Sequence, residues 1–238
     1  MAAHNHFFRF KQFTINQEHC AMKVTTDGVL LGAWTNSVNA SSILDIGTGT
    51  GLVAIMLAQK SDAYIHAIEI EPHACRQAAE NVKKSPWRER ISIIHSSFQD
   101  YSRYSDNRYD LIVSNPPFFT NSLKTQHEGR NLARHNETLP PDELLRGVDR
   151  LLSPSGSFCV ILPYIDSSLF LVDAAMHNLY CVRRTNVKAN AGKKVTRVLM
   201  ELCRERRKIL ENNLLIHESD GDYSEDFKML AENYYLFL

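Results

Sequence analysis

Long hydrophobic runs are missing from this 238-residue sequence. The N-terminal residues contain no apolar stretch of the kind found in signal peptides, and no segment approaches the roughly 20 apolar residues that span a bilayer. The length is sufficient to bury one sizeable core. We therefore expect a cytoplasmic protein of one domain, without a membrane partner.

Cysteine is scarce and irregularly placed. The five cysteines, an odd number, show neither a disulfide pattern nor the C-x-x-C spacing of a zinc site. The ten histidines contain no H-E-x-x-H or comparable pattern of metal ligands. We expect free, mostly buried thiols in a reducing compartment and a mechanism that uses no metal.

Net charge is also absent, because 27 basic side chains balance 27 acidic ones. The balance conceals an uneven distribution. Residues 183–208 include ten Lys or Arg and two Glu, whereas residues 209–238 include seven acids and one Lys. A basic block of this kind either binds nucleic-acid phosphates or forms a solvated face that the acidic tail neutralises. The sequence leaves both interpretations open.

Glycine is infrequent, yet three glycines alternate with other residues in the segment 45–51, which reads Asp-Ile-Gly-Thr-Gly-Thr-Gly. An apolar strand-like run precedes it and an apolar helical run follows. Such a loop lets the backbone approach a ligand at a helix N-terminus, where free N–H groups favour a carboxylate or phosphate. Leu52 stands where the dinucleotide fingerprint needs Gly or Ala, and no P-loop Gly-Lys-Ser/Thr follows. A different nucleotide-like cofactor is indicated.

An acid ends the next apolar strand, one βαβ step after Asp45. This residue is Glu69, which follows the apolar run 64–68. A carboxylate in that position accepts hydrogen bonds from ribose hydroxyls in several nucleotide-binding families. The alternative is a solvated acid at a strand end, so Glu69 does not identify the cofactor by itself.

A third motif, Asn115-Pro116-Pro117-Phe118, follows the apolar run 109–114. Two successive prolines remove two backbone donors and fix two φ angles. The resulting stiff loop presents carbonyl oxygens and an amide side chain, followed by an aromatic ring suited to a flat substrate. Taken alone, the segment is typical of a surface turn. Together with the two preceding motifs, it indicates a site for an exocyclic amine on a planar base.

The three motifs together resemble the class I S-adenosylmethionine-dependent methyltransferases that act on amino nitrogens. Further residues are similar to one branch, the tRNA1(Val) (adenine(37)-N6)-methyltransferase family, which methylates the adenine immediately 3′ of the anticodon. The additional similarity lies in the segments 10–13, 20–24, 26–28 and 30–34, in Asn81, in 85–87 and in 235–237.

Alternating strands and helices from residue 42 onwards predict a parallel α/β sheet, whose C-terminal edge brings the three motifs together. The resemblance implies a Rossmann-like class I methyltransferase fold, with a seven-stranded, mostly parallel sheet and helices on both faces. It also implies one methyltransferase domain over 1–238, in which residues 1–40 close the cofactor site and residues 41–238 form the catalytic core.

The resemblance implies S-adenosylmethionine as cofactor. Asp45 and the glycine loop would hold its methionine end, Glu69 its ribose and Ile70 one face of its adenine. Ser97 stands where relatives often carry an aspartate for the adenine amine. The cofactor-binding residues expected in this way are Lys23, Thr26, Asp45, Gly47, Thr48, Gly49, Gly51, Glu69, Ile70, Ser97 and Asn115.

For the reaction itself, we expect the Asn115 side-chain oxygen and the Pro116 carbonyl to accept the two hydrogens of adenine N6. Phe118 would stack on the extruded base. The catalytic residues expected are Asn115, Pro116, Pro117 and Phe118. The RNA-binding residues expected are Arg134, Lys188, Lys193, Lys194 and Arg197, although Arg134 is equally suited to an ion pair with a nearby Glu.

Other substrates share the motif: guanine N2 or adenine N6 in ribosomal RNA, adenine in DNA, and a glutamine side chain in release factors. The basic block favours nucleic acid over protein, and the lack of a separate target-recognition domain disfavours DNA. A catalytically silent S-adenosylmethionine-binding module that binds RNA is the non-enzymatic alternative. The intact Asn-Pro-Pro-Phe motif argues against it, so tRNA is the expected partner.

Overall fold

The structure is a computed structural model that describes residues 6–18, 20, 23–117 and 139–237. The strands in these ranges are β1 (Phe7–Arg9), β2 (Thr14–Asn16), β3 (Ser42–Ile46), β4 (Tyr64–Glu69), β5 (Ile91–His95), β6 (Tyr109–Ser114), β7 (Leu152–Pro163), β8 (Tyr180–Asn190), β9 (Val195–Cys203) and β10 (Leu210–His217). The α-helices are α1 (Thr26–Trp34), α2 (Leu52–Lys60), α3 (Pro72–Lys84), α4 (Phe98–Tyr104), α5 (Pro141–Leu151), α6 (Ser167–Met176) and α7 (Glu225–Ala231).

Eight of these strands form one sheet in the order β10-β8-β9-β7-β6-β3-β4-β5. β9 runs antiparallel to both of its neighbours, and the other pairs are parallel. The predicted α/β class is confirmed, with strands β3 to β9 forming the expected seven. β10 extends the sheet by an eighth strand that we did not predict, because its first four residues are exposed and polar apart from Leu210.

Helices cover both faces of the sheet, which explains why its central strands are apolar without alternation. Adjacent residues of β3 point to opposite faces: Ile43 packs with α1, α2, α3 and α7, whereas Leu44 packs with α4, α5 and α6. The described helices include none that is long and apolar enough to cross a membrane.

Two glycines let α1 lie unusually close to α2. A Cβ on Gly32 would lie 2.6 Å from the Met56 sulfur, and one on Gly28 would lie 3.1 Å from Leu52 Cδ2. At the other end of α1, the Lys60 ammonium donates to the carbonyl oxygens of Gly32 and Ala33, at 2.7 and 2.9 Å. Burial lowers the pKa of Lys60 to about 8. Both ends of α1 are therefore held against α2.

The β1–β2 hairpin is joined to the glycine-loop region through one buried amide. The Asn16 backbone N–H donates to Asn81 Oδ1, and Asn81 Nδ2 donates to the carbonyl oxygens of Asn16 and Thr50, each at 2.9 Å. The resemblance had singled out Asn81, and its position gives that residue a structural role: it connects the N-terminal hairpin, α3 and the loop before α2.

Candidate active site

The C-terminal ends of β3, β4 and β6 bring the three sequence motifs to one edge of the sheet. Ile46 of β3 lies opposite Ile68 of β4 and Ser114 of β6. The Ser114 hydroxyl donates to the Ile46 carbonyl at 3.1 Å. The residue that follows Ser114 is Asn115, so the proline-containing loop starts beside the glycine loop.

The glycine loop turns through three left-handed backbone positions, with φ of +69° at Gly47, +57° at Gly49 and +83° at Gly51. The N–H groups of Gly47 and Thr48 both donate to the Ile68 carbonyl at 3.0 Å. A Cβ on Gly47 or Gly49 would meet no atom of a more distant residue within 4 Å. The loop therefore presents bare backbone to open space, as close contact with a ligand requires.

Glu69 is joined to the glycine loop by its carboxylate. Its Oε2 accepts from the Gly49 N–H at 2.8 Å, and its Oε1 accepts from the Glu71 N–H at 3.0 Å. Each oxygen retains a lone pair for a further donor. The carboxylate is thus held in a fixed orientation and can still accept the two hydroxyls of a ribose.

Asp45 is buried beneath the same loop. The Thr48 hydroxyl donates to its Oδ2 at 2.6 Å. Burial raises the pKa of Asp45 to about 7, although the Thr48 hydroxyl and the Ala54 N–H act in the opposite direction. The carboxyl group is consequently poised to release its proton when a cationic group approaches.

Two cavities flank the glycine loop. The larger has a volume of about 220 Å³ and lies on the Glu69 side. Its lining is mostly apolar and comprises Ile46, Gly47, Gly49, Ile68, Glu69, Ile70, Ser96, Phe98, Gln99, Ser114, Asn115, Pro116, Pro117 and Leu139.

The smaller cavity, of about 50 Å³, lies on the Asp45 side. The N-terminus of α1 borders it through Thr25, whose hydroxyl caps that helix, and the N-terminus of α2 borders it through Leu52. The positive ends of two helix dipoles therefore meet there. The full lining comprises Lys23, Thr25, Gly28, Asp45, Gly47, Thr48, Gly49, Thr50, Leu52, Val53 and Asn115.

Asn115, Gly47 and Gly49 border both cavities. Asn115 is partly buried, Pro116 is buried and Pro117 is exposed. Asn115 therefore stands where the two cavities meet. Phe118 and Arg134 lie outside the described residues.

Some residues expected at the cofactor site lie beside the two cavities instead of lining them. Ser97 caps α4, where its hydroxyl contacts the Asp100 carboxylate at 2.8 Å, and it borders a neighbouring cavity with Ile70. Thr26 follows the cavity-lining Thr25. Gly51 ends the loop as the N-cap of α2, at a φ of +83° that favours glycine, and a Cβ there would lie 3.6 Å from Ala78 of α3.

Several residues that line the larger cavity were not predicted from the sequence. Ser96, Phe98 and Gln99 follow β5 at the same edge as the motifs, and Leu139 precedes α5. Ser96, Phe98 and Gln99 directly follow the C-terminal end of a parallel strand, and this position in the sequence predicts a place at the ligand-binding edge. The apolar character of Leu139 gives no comparable signal.

The direction of β9 divides the basic block between the two edges of the sheet. Because β8 runs parallel to the core strands, the turn from β8 to β9 lies at the same edge as the two cavities. This turn, with the strand ends beside it, carries Lys188, Lys193, Lys194 and Arg197. β9 then returns to the opposite edge, where Arg204, Arg206, Arg207 and Lys208 follow it.

Many of these basic side chains are already paired within the chain. Arg183 pairs with Glu201 at 2.8 Å and stacks on Trp34, 3.5 Å from the ring centroid. Arg197 pairs with Asp27 of α1 at 2.8 Å. Among the described residues, no ion pair involves Lys188, Lys193 or Lys194. The described part of the chain also contains no group of three or more His, Cys, Asp or Glu side chains that would hold a metal ion.

Comparison with known proteins confirms the resemblance expected from the motifs. Residues 26–186 match the family model of the methyltransferase small domain. A Bacteroides fragilis protein named tRNA1(Val) (adenine(37)-N6)-methyltransferase is 47% identical over 97% of this chain and 98% of its own length. An Aeromonas hydrophila protein of the same name is 44% identical over 98% of each chain.

Solved structures support the fold. A protein from Agrobacterium tumefaciens described as a predicted O-methyltransferase has a TM-score of 0.69 at 13% identity, over 87% of this chain and 96% of its own. A ribosomal protein L11 methylase from Lactobacillus delbrueckii subsp. bulgaricus has a TM-score of 0.57 at 16% identity, over 81% and 84%. At these identities the similarity establishes the fold alone.

Proposed function

The chain belongs to the tRNA1(Val) (adenine(37)-N6)-methyltransferase family, and we propose that it transfers a methyl group from S-adenosylmethionine to N6 of adenine 37 in a valine tRNA. The position of Asn115 carries this proposal, because this residue borders both the larger and the smaller cavity. A group at that junction contacts the cofactor and an incoming amine at the same time.

The chemistry of the smaller cavity suits the methionine end of S-adenosylmethionine. Asp45 supplies a buried carboxyl group for the amino group, and its raised pKa means that binding a cation favours its ionised form. Lys23 and the N-termini of α1 and α2 supply positive potential for the carboxylate. The ammonium group of the ligand thus meets a negative group of the protein, and its carboxylate meets positive groups.

The larger cavity suits the nucleoside end. The Glu69 carboxylate, held by the N–H groups of Gly49 and Glu71, accepts the ribose hydroxyls. Ile70 and Phe98 supply apolar surfaces for the adenine ring. Ser96 and Gln99 line the same cavity and are candidates for the adenine amine, in addition to Ser97.

When bound, S-adenosylmethionine supplies an activated methyl group, so the chain mainly has to orient a weak nucleophile. The Asn115 side-chain oxygen and the Pro116 carbonyl each accept one hydrogen of the amine, which turns its lone pair out of conjugation. Since Pro116 and Pro117 have no N–H group, no backbone donor at these positions competes for the site. Neither acceptor has to ionise. Phe118 would stack on the base.

The RNA would approach the sheet edge that carries the cavities. Lys188, Lys193 and Lys194 project from the β8–β9 turn at that edge and have charge available for phosphates. Arg134 is a further candidate. An anticodon loop supplies a base that is already unpaired, so extruding it costs less than in a duplex.

The experiment that tests this proposal is methyl transfer from labelled S-adenosylmethionine into total tRNA from a strain lacking this gene, followed by nucleoside mass spectrometry. The expected result is N6-methyladenosine in one valine tRNA, and loss of labelling when adenine 37 of that tRNA is replaced by guanine. Labelled ribosomal RNA or release factor with unlabelled tRNA would overturn the substrate assignment. Cofactor binding without labelling of any substrate would indicate a silent binding module.

A further inference from the structure

An ion pair joins α1, the helix beside the smaller cavity, to β9. The turn that precedes β9, together with the end of β8, carries Lys188, Lys193 and Lys194 and is called the lysine turn below. Arg197 Nε lies 2.8 Å from Asp27 Oδ2, and the two side chains are 28% and 17% exposed. Partial burial excludes water and strengthens the attraction compared with a surface pair. Asp27 lies in the first turn of α1 and Arg197 in β9, so the pair spans 170 residues of sequence.

The Asp27 end of this pair is fixed relative to the cofactor cavity. Asp27 stands between Thr25, which caps α1, and Gly28, whose N–H donates to the Thr25 hydroxyl at 3.2 Å. Thr25 and Gly28 both line the smaller cavity. Close packing of Gly28 against Leu52 leaves α1 little room to shift on α2. A displacement of Asp27 would therefore displace the cavity wall.

The Arg197 end is fixed relative to the lysine turn. Arg197 lies opposite Pro163 of β7 and Val187 of β8, and Val195 lies opposite Lys188. At about 3.3 Å per residue in an extended chain, Lys194 is roughly 10 Å from Arg197. The turn itself closes through the Lys193 N–H, which donates to the Asn190 carbonyl at 3.1 Å.

We propose that Asp27 and Arg197 are positioning residues for the tRNA substrate. Their ion pair sets the lysine turn at a fixed place relative to the α1 end of the cofactor cavity, so phosphates bound by the lysines deliver the target base to Asn115. The ion pair gives Arg197 this indirect role, and the direct contact with RNA that we expected for it stays a prediction. The inference rests on the proposed function.

The test compares Asp27→Asn, Arg197→Gln and Arg197→Lys in steady-state methylation of a transcribed valine tRNA by the full chain. Asp149→Asn is the matched control, because Asp149 pairs with Arg204 at the opposite edge of the sheet. Two further measurements are the dissociation constant of tRNA and the melting temperature of each variant.

We expect Asp27→Asn and Arg197→Gln to raise KM for tRNA about tenfold with kcat unchanged, which is within the usual range for coupled sites. Arg197→Lys keeps the charge and should recover part of the loss. In the two neutralised variants, the dissociation constant of tRNA should rise by a similar factor.

An unchanged KM in the folded variants, or the same increase in Asp149→Asn, would overturn the positioning role while leaving methylation by the unaltered chain intact. If Asp27→Asn does not fold, the KM values of Arg197→Lys and Arg197→Gln test the positioning role. A wild-type chain that methylates no tRNA would instead overturn the proposed function, and with it this inference.

Discussion

Glu69 accepts a hydrogen bond from the backbone N–H of Gly49 at a distance of 2.8 Å. The acid that ends β4 is therefore bound to the loop that follows β3, although the two lie 20 positions apart in sequence. The hydrogen bond joins Glu69, the proposed ribose acceptor, and the glycine loop in one rigid unit. The second carboxylate oxygen accepts from the Glu71 N–H, so each of the two oxygens is held by its own backbone donor.

We predict that Glu69→Gln weakens binding of S-adenosylhomocysteine at least tenfold. An amide has a single acceptor oxygen, so one of the two N–H groups would face the NH₂ group, and a hydrogen bond to a charged group contributes about 1.5–3 kcal/mol. Isothermal titration calorimetry measures the change. Glu71→Gln is the control, because Glu71 caps α3 and lies outside both cavity linings. Equal affinity losses in the two variants would contradict the assignment.

We predict that Gly49→Ala abolishes cofactor binding while costing about 1–2 kcal/mol of stability for a left-handed alanine. Its φ is +57°, and the added methyl group would enter the space that the cofactor requires. Gly221→Ala is the matched control. Gly221 also has a positive φ, +95°, and open space around its Cβ, but it lies in the turn after β10. Cofactor affinity should be lost only in Gly49→Ala, whereas urea denaturation should show a similar loss of stability in both variants.

We predict that the ionisation of Asp45 lowers the free energy of unfolding of the cofactor-free protein as the pH rises from about 4 to about 7. Asp45→Asn should remove this part of the pH dependence. The pKa of Asp45 is raised to about 7 from 3.8. Between these values the folded state binds more protons than the unfolded chain, so the free energy of unfolding decreases with pH and levels off above the folded-state pKa. Urea denaturation of both proteins at pH 5 and pH 8 measures the difference. Parallel pH profiles would contradict the raised pKa.

We predict that replacing Lys193 and Lys194 by Gln weakens tRNA binding. The slope of log K against log salt should fall by about 1 for each phosphate that the protein no longer neutralises. Lys208→Gln is the control, because Lys208 follows β9 at the opposite edge of the sheet. Filter binding across a range of salt concentrations would show the effect. An equal decrease in affinity in the control would indicate general electrostatic attraction without a defined docking edge.

Local signals were sufficient to predict the central elements and the convergence of the motifs. The apolar runs of β3, β4 and β6 are long and bounded, and parallel topology places their C-terminal ends together. Pro72, at a position that favours the first turn of a helix, predicts a helix from 72 to about 84, and α3 (Pro72–Lys84) confirms it.

Other features depend on tertiary contacts that leave no local pattern. The apolar run 158–162 predicts a strand there, but β7 already begins at Leu152 because pairing with β6 extends it. The basic composition of 188–194 predicts a flexible hairpin, but β8 continues to Asn190. The division of the basic block between two edges follows from the direction of β9, which charge counting does not reveal.

The measurement that tests the central claim most directly is single-turnover methylation of valine tRNA by Asn115→Ala, with cofactor affinity determined on the same sample. Asn107→Ala is the control, because Asn107 lies before β6, at the opposite end from Asn115. We predict that Asn115→Ala binds S-adenosylhomocysteine but loses at least about 100-fold in rate, as expected when a group that orients the transition state is removed. Undiminished methyl transfer by Asn115→Ala would contradict the account.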